Sequence, residues 1–128
     1  MTAARPARAC LLPALAVLAA CSGDAGPADP GRFALRFGER EIEGRYDPAG
    51  FDSAEARRAT AQVCAGTALA RYEETGRADG RRDIAAACES FTKVNDGTAV
   101  FTRRDDGRIR VQINSALDGR SGSVSYDI

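Results

Sequence analysis

The sequence predicts a small α+β domain over residues 33–128, with one helix packed on an antiparallel, meander-like sheet. Three observations carry that prediction. Apolar residues alternate at both ends of the segment, in "FALRFGEREIEGRY" and "GSVSYDI". One stretch, "DSAEARRATAQVCAG", repeats at helical spacing between capping residues. An Asp-Gly pair preceded by one more residue recurs at 78–80, 95–97 and 105–107, the signature of a hairpin loop.

In "FALRFGEREIEGRY", a two-residue type II′ turn at Gly38 and Glu39 sets Leu35 opposite Ile42. Phe33, Phe37 and Gly44 then share their face, giving a hairpin with one buried side. "YDPAGF" ends it, because Pro48 and Gly50 are turn residues. In the helix that follows, Asp52 can act as N-cap, with Glu55 three residues on completing a capping box. Gly66 suits the left-handed position after the helix. Ala56, Ala59, Thr60, Val63 and Cys64 fall on one face, which is made of small groups and points Cys64 inward.

The three Asp-Gly loops fix further registers. The loop at 105–107 pairs Phe101 with Val111 and Ala99 with Ile113, and the one at 95–97 pairs Phe91 with Phe101. The loop at 78–80 aligns Tyr72 with Ala86 and Ala70 with Cys88. Within "DIAAACESF" three successive alanines favour helix, and the spacing of Ile84, Cys88 and Phe91 agrees with that. The strand assignment over 82–94 follows from the flanking turns and requires a bulge near Glu89. Val124, Tyr126 and Ile128 alternate as a last strand would.

The first twenty residues are different material. Arg5 and Arg8 form a basic start without an acid, and Ala9 to Ala20 are apolar but too short for a membrane-spanning helix, which needs ~20 residues. An ordinary cleavage site wants small residues at −3 and −1, yet Leu18 occupies −3 before Cys21. "LAAC", Leu18 to Cys21, resembles the lipobox of bacterial prolipoproteins. The resemblance covers only residues 1–21; no family resemblance extends into the body of the chain. It implies that residues 1–20 are a lipoprotein signal peptide and that Cys21 receives a diacylglyceryl thioether. The new N-terminus is then acylated, with palmitate as the expected chain. Several acyl chains make attachment effectively permanent. Ser22, rather than an aspartate, after the lipidated cysteine implies outer-membrane residence facing the periplasm.

Residues 21–32 read as the lipidated cysteine and a flexible tether, rich in Gly, Pro, Ala and Asp. Once residues 1–20 are removed, 16 basic residues face 18 acidic ones. That balance argues against a nucleic-acid partner. With Cys21 lipidated, Cys64 and Cys88 remain in an oxidising compartment, and a structural disulfide between them is expected. They lack C-x-x-C spacing for redox work and the further ligands a metal site needs.

The chain contains no histidine, which removes the usual catalytic triads and the commonest zinc ligand. No cofactor motif is present. Glu73 with Glu74 and Asp105 with Asp106 are adjacent carboxylates, but neighbours on a strand point to opposite faces and a turn wants aspartates anyway. Both pairs read as solvated surface charge. Arg103, Arg104, Arg108 and Arg110 cluster at a hairpin tip and can bind carboxylate or phosphate, as on peptidoglycan or lipopolysaccharide. The expected function is a non-enzymatic envelope module that binds or supports an envelope protein, peptidoglycan or lipopolysaccharide. The alternative is a membrane-tethered inhibitor of a lysozyme or protease, inserting "GRYDPAGF" into a foreign active site. A hydrolase with paired carboxylates ranks last.

Overall fold

The computed structural model describes residues 29–117 and 120–128. The expected signal peptide, the expected lipidation at Cys21 and most of the expected tether fall outside the described residues. Seven strands form a single antiparallel sheet: β1 Arg32–Phe37, β2 Glu41–Tyr46, β3 Leu69–Gly76, β4 Arg82–Cys88, β5 Gly97–Arg103, β6 Ile109–Leu117 and β7 Arg120–Asp127. One α-helix, α1 (Ser53–Ala61), and a 3-10 turn at Ala65–Thr67 lie between β2 and β3. Among the described residues the α+β class, with one α-helix on an antiparallel sheet, is therefore observed.

The strand order is β3-β4-β2-β1-β5-β6-β7, which is not the sequential order of a meander. The β1–β2 hairpin sits between β4 and β5, so two later hairpins flank the first one. The loop at 95–97 consequently does not join paired neighbours. Asn95 takes the left-handed conformation at φ 67°, and Gly97 begins β5 opposite Phe37 and Ser115. A Cβ at Gly97 would collide with the carbonyl oxygen of Asn114, so the glycine serves close backbone approach rather than a turn.

Phe101 pairs with Phe33 of β1 and stacks on it, ring centroids 4.8 Å apart, rather than with Phe91. Phe91 is 51% exposed, and the buried residue of that loop is Thr92. Thr92 donates its hydroxyl to the carbonyl of Gly38 at 2.6 Å and its N–H to that of Glu39 at 2.8 Å. The loop after β4 is thus fastened to the β1–β2 connection.

Local registers hold where a loop alone decides them. Phe101 faces Val111, Ala99 faces Ile113, and Gly107 has φ 89° as a three-residue loop requires. Tyr72 faces Ala86 as expected. Beyond it the register shifts, so Leu69 and not Ala70 faces Cys88. The bulge expected near Glu89 is not formed, because β4 ends at Cys88 and the exposed Phe91 need not share its face. The irregularity of this hairpin lies instead on β3, and β4 keeps Ile84, Ala86 and Cys88 on its inner face. Strand, not helix, is the conformation of Arg82–Cys88.

In the first hairpin the expected register is off by two residues. Phe37 faces Ile42 and Leu35 faces Gly44. The loop spans residues 38–40, closed by the Gly38 N–H to the Glu41 carbonyl at 3.0 Å, and Gly38 lacks the positive φ a type II′ turn demands. A shift of two preserves parity, so Phe33, Leu35, Phe37, Ile42 and Tyr46 all remain buried.

Asp52 caps α1 with the full capping box: its carboxylate accepts from the Glu55 N–H at 2.7 Å, and Glu55 accepts from the Asp52 N–H at 3.0 Å. The helix stops at Ala61, so Gly66, at φ 79°, belongs to the following 3-10 turn rather than to the helix end. Ala56, Ala59, Thr60, Val63 and Cys64 are nonetheless fully buried, as their spacing predicts. Small side chains let α1 lie close to the sheet, over a core that includes Leu35, Ile84, Phe101 and Ile113. Cys64 and Cys88 form a disulfide with Cα atoms 5.5 Å apart. Residues 29–31 also pack into the body: the Arg103 N–H donates to the Gly31 carbonyl at 2.7 Å. The folded region thus extends back to Asp29, ahead of the expected start at Phe33.

Candidate functional site: an open sheet face

Only one face of the sheet carries α1. Strand alternation sends Arg32, Ala34 and Arg36 of β1, Glu41, Glu43 and Arg45 of β2, and Asp83 and Ala85 of β4 to the opposite, outer face. The registers place opposite charges beside one another there. Arg36 pairs with Glu43 at 2.7 Å, Arg45 with Asp83 at 2.8 Å, and Arg71 of β3 with Glu41 at 2.7 Å. These pairs are solvent-exposed, so each contributes at most about 1 kcal/mol and can exchange partners cheaply.

Ala34 and Ala85, on either side of β2, are short side chains, and a shallow groove of about 730 Å³ lies over β1, β2 and β4. Arg36, Arg45 and Asp83 line it, together with Arg32, which has no carboxylate partner among the described residues. Towards β7 the same face carries fewer charges: Thr98, Val100, Gln112, Asn114, Ser123 and Ser125 are outermost, with the Arg110–Asp127 ion pair at one end. The face therefore offers exchangeable charges over β1, β2 and β4 and mainly neutral polar groups over β5, β6 and β7.

The four arginines expected to act together are divided. Arg103 lies on the inner parity of β5, where its guanidinium donates to Glu55 at 2.7 Å and to the carbonyls of Gly50 and Gly107, both at 2.9 Å. It also stacks over Phe51, 4.9 Å from the ring centre. Hydrogen bonding from Arg103, then from the Asp52 backbone, holds the Glu55 carboxyl below the usual range. Arg104 and Arg110 converge on Asp127, at 3.7 and 2.5 Å. Arg108 follows the turn in which Asp106 accepts its backbone N–H at 3.0 Å. The structure brings Arg104 and Arg110 together and sets Arg103 to anchoring the helix.

Glu73 and Glu74 point to opposite faces, as expected of strand neighbours, but only Glu73 is surface charge, paired with Arg71 at 3.1 Å. The side chain of Glu74 is 7% exposed and accepts four hydrogen bonds: from Tyr46 at 2.8 Å, Tyr72 at 2.6 Å, Ser53 at 2.8 Å and Arg82 at 2.6 Å. Burial pushes its carboxyl up, but the bonds from Tyr72, Tyr46, Ser53 and Arg82 outweigh this and hold it below the usual range. A carboxylate so saturated has no proton to give and no lone pair aimed at a substrate. It ties β2, β3, β4 and the start of α1 together. The cue in the sequence is Tyr72 two residues before Glu74, which places both on one strand face.

"GRYDPAGF" is bound down at both ends, with Tyr46 and Phe51 each 2% exposed. Its turn is closed by the Gly50 N–H to the Asp47 carbonyl and by the Asp47 carboxylate accepting from Ala49. Among the described residues no group of three or more acids or cysteines is placed to hold a metal ion, and no helix is long and apolar enough to cross a membrane. Comparison with protein-family models, curated proteins and solved structures gives no match.

Proposed function

We propose that the chain is a lipid-anchored, non-enzymatic binding module of the cell envelope, held by Cys21 at the outer membrane and facing the periplasm. Its ligand is an envelope protein, peptidoglycan or lipopolysaccharide. The observation that supports the binding role is the open outer face, whose short-residue groove is bordered by exchangeable charges and by Arg32. Saturation of Glu74, and its separation from Glu73 by the sheet, favour binding over paired-carboxylate chemistry.

A photo-crosslinking amino acid at Ala34 in intact cells tests the role. The expected result is capture of one defined envelope component, absent when the same probe replaces Arg58 on α1. Capture of phospholipid alone, or of nothing, overturns the binding role.

The anchor has its own test. Cys21→Ala is expected to abolish lipid labelling, leave the leader uncleaved and slow export. Normal processing and unchanged membrane fractionation of this variant would refute the anchor.

A further inference from the structure

We infer that β7 is a self-pairing edge through which two copies of this chain join into one continuous sheet. The inference does not depend on the proposed ligand or on the anchor. Ile109 and Ile128 exchange both backbone hydrogen bonds, at 3.0 and 2.8 Å. In an antiparallel pair such exchanges alternate, so with the register Arg110↔Asp127 to Leu117↔Arg120 the residues bonded to β6 are 122, 124 and 126. The N–H and C=O groups of Ser121, Ser123, Ser125 and Asp127 therefore point away from the sheet. No strand pairs with that edge among the described residues.

The two edges of the sheet differ in how they resist association. β3 carries a register shift between Leu69 and Arg71 and presents Arg71 and Glu73, features that discourage strand addition. β7 runs without a register irregularity, and from Ser121 to Tyr126 it holds no charge and no proline. Its one aliphatic residue in that stretch, Val124, is 50% exposed, one of two large exposed apolar side chains among the described residues.

The outward-facing residues are symmetric about Val124, and that selects a second copy as the occupant. Antiparallel pairing centred there joins Ser123 to Ser125 and Ser121 to Asp127 of the second copy, and the reverse, so every outward-facing group gains a partner. Any other two-fold centre leaves at least one of them unpaired. Val124 then meets Val124 of the second copy at a position not hydrogen-bonded across the new edge, where side chains approach most closely. Tyr126, held in its own copy by Gln62, falls opposite Gly122 of the second copy, where no side chain opposes it. Asp127 brings no uncompensated repulsion, because Arg110 and Arg104 already neutralise it. The two-fold axis is perpendicular to the sheet, so both helices lie on the same side and the outer faces merge.

The full chain, purified from cells and measured by light scattering over a dilution series, is expected to show twice the monomer mass at its upper concentrations. Ser125→Pro removes one outward N–H without touching the β6 ladder, and a proline is tolerated on an edge strand in that orientation. This variant is expected to lose the dimer while keeping its melting temperature. Val124→Cys is expected to form a covalent dimer on mild oxidation, because Cys64 and Cys88 are already bonded, whereas Ser123→Cys is not. A monomer at every concentration overturns the inference. So does a dimer that survives Ser125→Pro, or crosslinking of Ser123→Cys as ready as that of Val124→Cys.

Discussion

Glu74→Ala is expected to destabilise the domain by about 3 kcal/mol, because each buried donor left without an acceptor costs about 1–3 kcal/mol. For a domain of this size that lowers the melting temperature by roughly 15 °C. The Tyr46 hydroxyl suffers most, since the residue is 2% exposed and Glu74 is its acceptor. Tyr72 loses its acceptor as well, while Arg82, at the rim, turns to water. Adding Tyr46→Phe to Glu74→Ala should cost little more, because the stranded hydroxyl is then gone. A double-mutant cycle by thermal and urea denaturation measures that coupling. Full additivity of the two substitutions would show that the bond contributes nothing.

The same cluster sets limits in acid and in alkali. Glu74 has a folded-state pKa below its unfolded value, so its contribution is complete above ~4.3, the ordinary glutamate pKa, and is lost as pH falls through the folded value. Glu74→Gln should therefore flatten the acid limb of a stability-against-pH curve. Tyr46 shifts the other way: burial first, then the hydrogen bond to Glu74, pushes its pKa up to about 12. Its contribution is complete below ~10, the unfolded tyrosine value, and is lost as pH rises through about 12. Burial and Glu74 also push Tyr72 upwards, so both phenols favour alkaline unfolding. Tyr46→Phe should reduce that sensitivity in denaturation curves recorded above pH ~10.

What the sequence reveals and what it hides divide along the range of the interactions. The β5–β6 register follows from three residues, Asp105 to Gly107, and the capped start of α1 from four, Asp52 to Glu55. In the first hairpin only parity is local, which is why a register two residues away buries the same side chains. The partner of β5 depends on whether Phe101 stacks on Phe33 or Phe91, residues 68 and 10 positions away, and no local pattern ranks those choices. Of the partners of Glu74 only Tyr72 is visible nearby in the chain, and those of Arg103 are hidden for the same reason. Tyr46 reaches Glu74 only through the β3-β4-β2 order, and Ser53, Glu55 and Gly50 come near only when the β2–α1 segment docks. The groove on the outer face has a similar origin, because Ala34 and Ala85 come to line one surface, on either side of β2, only through the β4-β2-β1 order.

Replacing both bridge cysteines, Cys64→Ala with Cys88→Ala, is expected to cost about 3 kcal/mol, the chain-entropy contribution for a loop of 24 residues. The loss should fall unevenly across the sheet. β3 is an edge strand held by β4, by the bridge beside its Leu69 end and by Glu74 towards its other end. Without the bridge its amides should exchange with solvent well before those of β1 and β5, which lie inside the sheet. Adding Glu74→Ala removes the second attachment, so the combined loss should exceed the sum of the separate ones. Both sulfurs belong to fully buried residues, so alkylation of the native protein should find neither Cys64 nor Cys88 until denaturant and reductant are both present. Labelling of either residue in the native, unreduced protein would show that the bridge does not form, and the predicted order of exchange would fail with it.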